Sequence, residues 1–323
     1  MPLSPVLVTG ASGFVGGALV AHLLAVGCER VVAALRRHDV SLPAGVTHCL
    51  VPALNADTGW QDALQGVDCV IHAAARVHVM KEAEADPLAA FRNVNVDGTL
   101  NLARQAAAAG VRRFIFVSSV KVNGEGTDQG RVYLANDAPA PEDPYGMSKR
   151  EAEEGLRAVA SETGMEVVII RPVLIYGPGV KANFRALLKL VDSGIPLPFA
   201  AVQNRRSVVA LDNLVDLITL CIEHPAAANQ TFLASDAEAL STAELARQMA
   251  VALGKPARQI KVPIALMNLA AKALGRQVVT QRLFGSLEVS IVKNAELLGW
   301  RPPFSTAQAL KATARHYQET RRS

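Results

Sequence analysis

The sequence predicts an α/β protein with a doubly wound parallel sheet and a smaller C-terminal α/β region. Short runs of Val, Ile and Leu alternate with helical patterns through the first half of the chain, as expected for strands that helices cover on both faces. A glycine-rich turn follows the first strand. After Pro172 the alternation becomes irregular. We therefore place a dinucleotide-binding domain at 1–172 and a mainly substrate-binding region at 173–323, with some later segments returning to the main sheet.

The apolar runs predict six strands, at Val6–Thr9, Arg30–Leu35, Thr47–Val51, Val67–His72, Arg113–Ser118 and Glu166–Arg171. The helical patterns between them lie at Val15–Val26, Trp60–Leu64, Leu88–Ala109 and Pro144–Glu162. Beyond Pro172 we expect a Gly/Pro loop at Tyr176–Gly179. Further helices are predicted at Asn183–Ser193, Asp212–Glu223, Thr242–Leu253, Ile264–Leu274 and Thr306–Gln318.

Composition and charge exclude several classes of protein. Of the 323 residues, 50% are hydrophobic and 19% are charged, which excludes a disordered chain. The net charge of +4 is too small to indicate a nucleic-acid binder. The four cysteines show no C-x-x-C spacing, so we expect free buried thiols in a reducing cytoplasm. Glycines interrupt the apolar N-terminal stretch and no basic segment precedes it, so we expect no membrane anchor.

The turn after the first strand predicts a site for dinucleotide phosphates. Its sequence from Thr9 to Gly16 is Thr-Gly-Ala-Ser-Gly-Phe-Val-Gly. The first glycine allows a tight turn, the second lets the backbone approach a pyrophosphate, and the third lets helix and strand pack closely. The N–H groups that open the next helix bind phosphate. We expect cofactor contacts from Gly10, Ser12, Gly13, Phe14, Val15 and Gly16.

The end of the second strand bears on the choice of nicotinamide cofactor. An NAD site usually has Asp or Glu there for the ribose 2′-hydroxyl, whereas a basic side chain suits the 2′-phosphate of NADP. Arg36 and Arg37 occupy this place. We therefore favour NADP, and NAD remains the alternative if both arginines are only solvated charges.

Four polar side chains define a candidate site for hydride-transfer chemistry. Ser118 and Ser119 end a buried strand, and we expect their hydroxyls to point into the cleft. Tyr145 and Lys149 are four residues apart and share one helix face. The ammonium and the helix N-terminus should lower the phenol pKa from about 10, so that Tyr145 acts as general acid or base. Ser119 would orient the same substrate oxygen, and Lys149 would reach the cofactor ribose.

These motifs resemble the extended short-chain dehydrogenases/reductases of the NAD-dependent epimerase/dehydratase family. The other motifs that carry the resemblance are His72-Ala-Ala-Ala75, Asn95-Val-Asp-Gly98-Thr99, Arg171-Pro172, Tyr176-Gly-Pro-Gly179 and Trp300-Arg-Pro-Pro303. The resemblance covers nearly the whole chain and implies a Rossmann fold with a UDP-linked sugar as substrate. It also implies further cofactor contacts, from Ala73, Ala74, Ala75, Asn95, Ser118, Tyr145, Lys149 and Pro172.

The resemblance implies substrate contacts in the C-terminal region as well. Asn183 resembles the residue that opens the substrate helix, and Arg206 matches the arginine that holds the diphosphate. Arg282 would supply a second diphosphate contact. Two arginines suit a diphosphate because each offers a planar fork of donors. Surface charge is the alternative for both.

Departures from the subgroups of the family narrow the expected reaction. Its dehydratases carry Asp-Glu directly after the catalytic Ser/Thr, where this chain has Val120-Lys121, so elimination of water is not expected. Its galactose-type epimerases carry Asn at the place of Leu174 and Tyr at the place of Asn123. The segment Ser119–Glu125 most resembles bacterial O-antigen enzymes, of which some are 4-keto reductases and others are UDP-glucose or UDP-N-acetylglucosamine 4-epimerases.

We therefore expect hydride transfer at C4 of a UDP-hexose. The first hypothesis is NADPH-dependent reduction of a UDP-4-keto-6-deoxy-N-acetylhexosamine, and the alternative is a UDP-glucose or UDP-N-acetylglucosamine 4-epimerase with tightly bound NAD. A non-enzymatic NADP sensor should lack the Tyr/Lys pair. A reductase of apolar ketones should not need Arg206 or Arg282.

We expect neither a metal nor a nucleic-acid partner. His72 and His78 are the nearest pair of histidines, and no Cys or carboxylate completes a zinc-ligand spacing with them. Cysteine usage predicts a cytoplasmic protein, and the resemblance implies a homodimer formed through the helices at Leu88–Ala109 and Pro144–Glu162.

Overall fold

The computed structural model describes residues 3–37, 42–77, 86–273 and 283–322. Six parallel strands form most of its main sheet: β1 (Val6–Thr9), β2 (Val31–Leu35), β3 (Thr47–Leu50), β4 (Cys69–His72), β5 (Arg113–Val117) and β6 (Glu166–Pro172). Each lies within two residues of a strand predicted from the sequence, because runs of Val, Ile and Leu mark strands that are buried on both faces.

The helices of this half alternate with the strands, as predicted for a doubly wound sheet. They are α1 (Phe14–Ala25), α2 (Gln61–Leu64), α3 (Pro87–Arg92), α4 (Gly98–Ala108) and α5 (Pro144–Thr163). A π-helical turn at Asn93–Asp97 joins α3 to α4, and a 3₁₀ turn at Val120–Val122 follows β5. The helix predicted at Leu88–Ala109 is therefore interrupted by one wide turn.

Beyond Pro172 the chain leaves the main sheet and then returns to it. The short strands β7 (Leu174–Tyr176) and β8 (Val208–Ala210) pair in parallel as a second sheet, and α6 (Ala182–Asp192) connects them. After α7 (Leu211–Glu223), β9 (Thr231–Ala234) pairs with β6 and completes the strand order β3-β2-β1-β4-β5-β6-β9. The later helices are α8 (Thr242–Ala252), α9 (Ile264–Ala273), α10 (Val292–Leu298) and α11 (Thr306–Arg322).

Two hydrophobic clusters cover the two faces of the main sheet. Val6 and Val8 of β1 pack into the cluster that contains α1 and α7, whereas Leu7 packs into the cluster that contains α4 and α5. This alternation follows from the opposite directions of successive side chains in a strand. A third cluster joins β7, β8, α6, α8 and α11. The doubly wound α/β fold is thus confirmed, with its carboxyl strand ends at one edge.

The sequence did not indicate β7, β8, β9 or α10, which are short elements in the region where the regular alternation of strands and helices is lost. Leu274, the last residue of a predicted helix, lies outside the described residues. Cys69 and Cys221 are buried free thiols, but Cys28 and Cys49 are partly exposed, so the predicted burial is wrong for these two. Within the described ranges, no helix has the length and apolarity to cross a membrane.

Candidate active site

The turn between β1 and α1 is shaped by close approaches of backbone to backbone. Gly10 has a φ of +68°, and a Cβ placed on it would lie 2.8 Å from the amide nitrogen of Ala74. A Cβ on Gly16 would lie 2.2 Å from the carbonyl oxygen of Gly10. Gly13 precedes α1 and offers no side-chain acceptor to the helix. The first N–H groups of α1 thus lack an intrahelical partner, and the cradle fits the diphosphate of a dinucleotide.

The other predicted cofactor residues of the first two strands lie at the same sheet edge. Ser12 is exposed at the glycine turn, and Phe14 and Val15 open α1 half-buried. Arg36 and Arg37 directly follow β2, the neighbour of β1, and both are exposed. In doubly wound folds, the residue at this strand end contacts the adenosine ribose.

Buried His72 joins the ends of β1 and β4 to α4. Its Nδ1 lies 2.7 Å from the Thr9 hydroxyl, and its Nε2 lies 2.9 Å from the Thr99 hydroxyl. The Thr9 hydroxyl also accepts the N–H of Ala74 at 3.1 Å. Burial, aided by the charge of Lys149, lowers the pKa of His72 to about 3. A neutral His72 therefore fixes the strand end from which Ala73, Ala74 and Ala75 extend.

Asn95 connects this strand end to the helix that carries Tyr145. Its side chain accepts the N–H of Arg76 at 2.8 Å and donates to the Arg76 carbonyl at 3.0 Å. It also donates to the Ser148 hydroxyl at 3.1 Å, which in turn donates to the carbonyl of Tyr145 at 2.8 Å. Asn95 lies in the π-helical turn, a feature that is frequent at functional sites.

Ser118 belongs to a buried polar network behind the cleft. Its hydroxyl donates to Glu153 at 2.6 Å, and it is only 3% exposed. Arg171 binds both oxygens of Glu153, at 2.8 and 2.6 Å, and also donates to Asn123 at 3.0 Å. The prediction that the Ser118 hydroxyl points into the cleft is wrong, because Glu153 engages it inside the protein.

Ser119, Tyr145 and Lys149 come together where β5 ends. Ser119 is half-buried, and its hydroxyl accepts the N–H of Lys121 at 3.2 Å. The Lys149 ammonium donates to the Val117 carbonyl at 2.9 Å and lies 6.0 Å from the centre of the Tyr145 ring. The predicted helical spacing of Tyr145 and Lys149 therefore does bring both side chains to one place.

The electrostatics of this pair differ from the expectation. Burial lowers the pKa of Lys149 to about 7, opposed by the charge of Glu153. Burial raises the pKa of Tyr145, and the negative charge of Asp143 raises it further. The prediction that Lys149 lowers the Tyr145 pKa is therefore wrong for this structure, in which the ammonium donates to the Val117 carbonyl and burial of the phenol dominates.

The predicted substrate residues are spread over the C-terminal region. Asn183 is exposed in the first turn of α6. Arg206 is half-buried, its guanidinium donates to the Gly285 carbonyl at 3.0 Å, and its backbone bridges Leu240 and Leu287. Arg282 and His78 lie outside the described residues. Pro172 is buried at the end of β6, beside β9.

Sequence reasoning missed three charged residues of this region. Glu153 lies one helical turn after Lys149, a spacing that could have indicated it. Asp143 directly precedes the helix that carries Tyr145, and its carboxylate binds the Lys121 ammonium at 2.5 Å. Lys121 was noted only as a departure from the dehydratases. No local pattern links Lys121 to Asp143, because they are far apart in sequence.

The parallel sheet, the glycine cradle and the Tyr145–Lys149 pair define a nicotinamide-dependent enzyme of the short-chain dehydrogenase/reductase type. The model of the NAD-dependent epimerase/dehydratase family matches residues 6–234, and the chain belongs to this family. The resemblance inferred from the motifs is thus confirmed at the level of the family. The O-antigen subgroup stays a prediction.

Several known proteins are similar over nearly the whole chain. A UDP-glucose 4-epimerase from Vibrio cholerae is 49% identical over 318 residues, which are 98% of this chain and 96% of the relative. A 3-beta-hydroxysteroid dehydrogenase from Mycolicibacterium neoaurum is 31% identical over 98% of this chain and 92% of its own. The crystal structure of a UDP-glucuronic acid 4-epimerase from Bacillus cereus in complex with NAD has a TM-score of 0.78 at 19% identity, covering 98% and 96% of the two chains.

Proposed function

We propose that this protein is a UDP-hexose 4-epimerase that keeps NAD bound through its reaction cycle. The observation that carries the proposal is the 49% identity with the Vibrio cholerae UDP-glucose 4-epimerase over 98% of the chain. From the sequence, the 4-keto reductase was the first hypothesis and the 4-epimerase was the alternative, so this proposal adopts the alternative. Both hypotheses place the chemistry at C4 and use the same side chains.

The site residues suit proton transfer at a sugar hydroxyl. In the proposed reaction the Tyr145 phenolate takes the proton of the C4 hydroxyl, and the phenol returns a proton after the keto sugar has turned over. A nicotinamide held at the glycine cradle would accept and then return the C4 hydride, so there would be no net oxidation. The Ser119 hydroxyl orients the same oxygen. Lys149 donates to the Val117 carbonyl beside this pair, and its pKa of about 7 lets it gain or lose a proton near neutrality.

The proposed contacts divide between the two parts of the chain. The cradle at Gly10, Gly13 and Gly16 would hold the cofactor diphosphate, and the exposed Arg36 and Arg37 would lie near the adenosine ribose. The UDP-sugar would bind between this sheet edge and the C-terminal region, with Arg206 and Asn183 as contacts and Arg282 as a second candidate for the diphosphate.

A second candidate function is favoured by one specific observation. Two exposed arginines directly follow β2, a place where a basic side chain suits the 2′-phosphate of NADP. NADPH would suit a reductase, which consumes its reductant at every turnover. The second candidate is therefore reduction of a UDP-4-keto-6-deoxy-N-acetylhexosamine.

The experiment that tests the proposal follows both the sugar and the cofactor. Purified protein with NAD is incubated with UDP-glucose, UDP-galactose or their N-acetyl forms, and the products are separated by chromatography. We expect each sugar to approach its C4 equilibrium without a net change in nicotinamide absorbance. Tyr145→Phe should slow this by about 10² to 10⁴-fold. Tyr317→Phe, which removes a phenol bonded to Asp192, is the matched control.

The result that overturns the proposal is equally specific. If no C4 epimer forms, and NADPH is instead consumed in proportion to an added UDP-4-keto-6-deoxy-N-acetylhexosamine, the protein is the reductase. A steroid ketone that is reduced at a rate insensitive to Arg206→Ala would indicate the apolar-substrate class. The homodimer, the cytoplasmic location and the division of the chain at residue 172 stay proposals.

A further inference from the structure

Lys121 is held between two carboxylates beside the candidate active site. Its ammonium lies 2.5 Å from Oδ2 of Asp143 and 2.7 Å from Oε1 of Glu125. The lysine side chain is 29% exposed and that of Asp143 is 27% exposed, so the pair is partly shielded from solvent. Such a pair is stronger than a fully exposed ion pair, because water screens it less.

The same Asp143 carboxylate begins the helix that carries Tyr145. Asp143 is the N-cap of α5, and its Oδ1 accepts the N–H of Gly146 at 2.7 Å. One oxygen therefore caps the helix while the other binds Lys121. Because Tyr145 lies between the cap and Gly146, its backbone position depends on how this carboxylate is held.

The backbone of Lys121 contacts the other half of the site. Its N–H donates to the Ser119 hydroxyl at 3.2 Å. A Cβ placed on Gly146 would lie 2.9 Å from the Lys121 carbonyl oxygen, so the turn after β5 and the first turn of α5 approach as closely as a glycine permits. The residue thus contacts the Ser119 turn through its backbone and the Tyr145 turn through its ammonium.

We propose that Lys121 is a positioning residue, which clamps the Ser119 turn to the first turn of α5 and so sets the position of Ser119 relative to Tyr145. The inference rests on the proposed function in assigning proton transfer to these two hydroxyls. Lys121 also offsets the negative charge of Asp143, which otherwise disfavours a phenolate at Tyr145. It acts through Asp143 and does not itself exchange a proton with the sugar.

The first test compares two ion pairs at α5. Lys121→Met removes the clamp, whereas Arg150→Met removes an exposed Arg150–Glu154 pair of 2.7 Å from the same helix. We expect Lys121→Met to lower the kcat of C4 epimerisation about tenfold or more, with KM for the UDP-sugar changed less than about threefold. Arg150→Met should leave both unchanged, and Lys121→Arg, which keeps the charge, should restore most of kcat.

The second test asks whether Lys121 acts through Asp143. Asn caps helices as well as Asp does, so Asp143→Asn removes the charge and keeps the cap. The double variant Lys121→Met/Asp143→Asn should be no slower than Asp143→Asn alone. Once residue 143 is Asn, there is no Asp143 charge for Lys121 to offset, so removing Lys121 as well adds no further loss. In the profile of kcat against pH, the pH at which Tyr145 loses its proton should be higher in Lys121→Met and lower in Asp143→Asn.

A third measurement needs no substrate and separates the two proposals. Hydrogen exchange of the peptides covering Ser119–Glu125 and Asp143–Lys149 should be severalfold faster in Lys121→Met and unchanged in Arg150→Met. If exchange responds in this way but the wild-type protein epimerises no sugar, the clamp stands and the proposed function fails. If the protein is an active epimerase, and Lys121→Met alters neither kcat nor exchange, or the losses in the double variant multiply, the positioning role is wrong.

Discussion

His72 and Lys149 are buried at the carboxyl edge of the sheet, and burial disfavours the charge of each. His72 is fully buried between two threonine hydroxyls, and Lys149 is 2% exposed against the Phe116 ring. An ammonium at that depth is tolerated because the Val117 carbonyl accepts a hydrogen bond from it. The protein therefore holds, beside Tyr145, a lysine that can change charge near neutral pH.

We expect this lysine to make folding stability depend on pH. Its pKa is about 7 in the folded protein, against 10.5 without the protein environment. Below pH 7 it is protonated in both states, and the cost of burying its charge is fully present. Between pH 7 and 10.5 only the unfolded chain holds the proton, so stability rises with pH, by at most about 1.36 kcal/mol per unit.

Denaturant unfolding of the wild-type protein and of Lys149→Met, measured at several pH values across that range, checks this contribution. The difference in unfolding free energy between the two should grow in favour of the wild type as the pH rises. Curves that stay parallel from pH 7 to 10 would show that Lys149 titrates as an ordinary lysine.

At single residues, the sequence predicted what local spacing encodes and missed what only folding brings together. The distance of four residues between Tyr145 and Lys149 was sufficient to place both on one helix face. The hydrogen bond from Ser118 to Glu153 joins residues 35 positions apart, so nothing in the local sequence indicated that the hydroxyl turns inward. The pKa of Tyr145 was misjudged because it depends mainly on burial, which the local sequence did not indicate, and the nearby charge of Asp143 adds to that effect.

Among the secondary-structure elements, the packing of α1 against the turn that follows β1 depends on Gly16 more than on Gly17. A Cβ on Gly16 would overlap the carbonyl oxygen of Gly10 at 2.2 Å, whereas a Cβ on Gly17 meets nothing closer than 3.4 Å. Both residues lie in the first turns of the same helix. Alanine at Gly16 must therefore push α1 away from the turn that forms the phosphate cradle.

We expect Gly16→Ala to lower the unfolding free energy by about 1–3 kcal/mol and to weaken NAD binding. Gly17→Ala is the matched control and should be neutral or stabilising by up to about 1 kcal/mol, because alanine favours the helix. Chemical unfolding and titration with NAD measure the two effects. Equal behaviour of the two variants would contradict a cradle set by close packing at Gly16.

A helical period in the sequence predicts that a helix forms, but it does not predict a π-helical turn within that helix. The apolar period correctly predicted helix through residues 88–109, yet one wide turn at Asn93–Asp97 changes which side chains face α5. Asn95 lies inside that turn and bonds both to the backbone of Arg76 and to Ser148. The helical period alone does not distinguish this turn from the α-helix on either side of it.

In the whole molecule, the hydrophobic core crosses the division of the chain at Pro172. The cluster on one face of the main sheet joins α1 residues such as Leu19 and Leu23 to α7 residues such as Leu214 and Ile218. Buried Arg113 of β5 donates to carbonyls at the end of α7, those of Cys221, Ile222 and His224, at 2.6, 3.1 and 2.9 Å. The sequence suggested that later segments return to the sheet, but it did not show which ones.

This shared core predicts that residues 1–172 do not fold as a separate domain. Without β9 and α7, the outer edge of β6 would lose its paired strand and one face of the sheet would lose its cover. The guanidinium of Arg113, which is 1% exposed in the whole protein, would lose three carbonyl acceptors. We expect the 1–172 fragment to aggregate or to lack a cooperative thermal transition, whereas the full chain unfolds cooperatively. Circular dichroism and size-exclusion chromatography test this, and a monomeric 1–172 fragment that binds NAD would show that the nucleotide half is independent of α7 and β9.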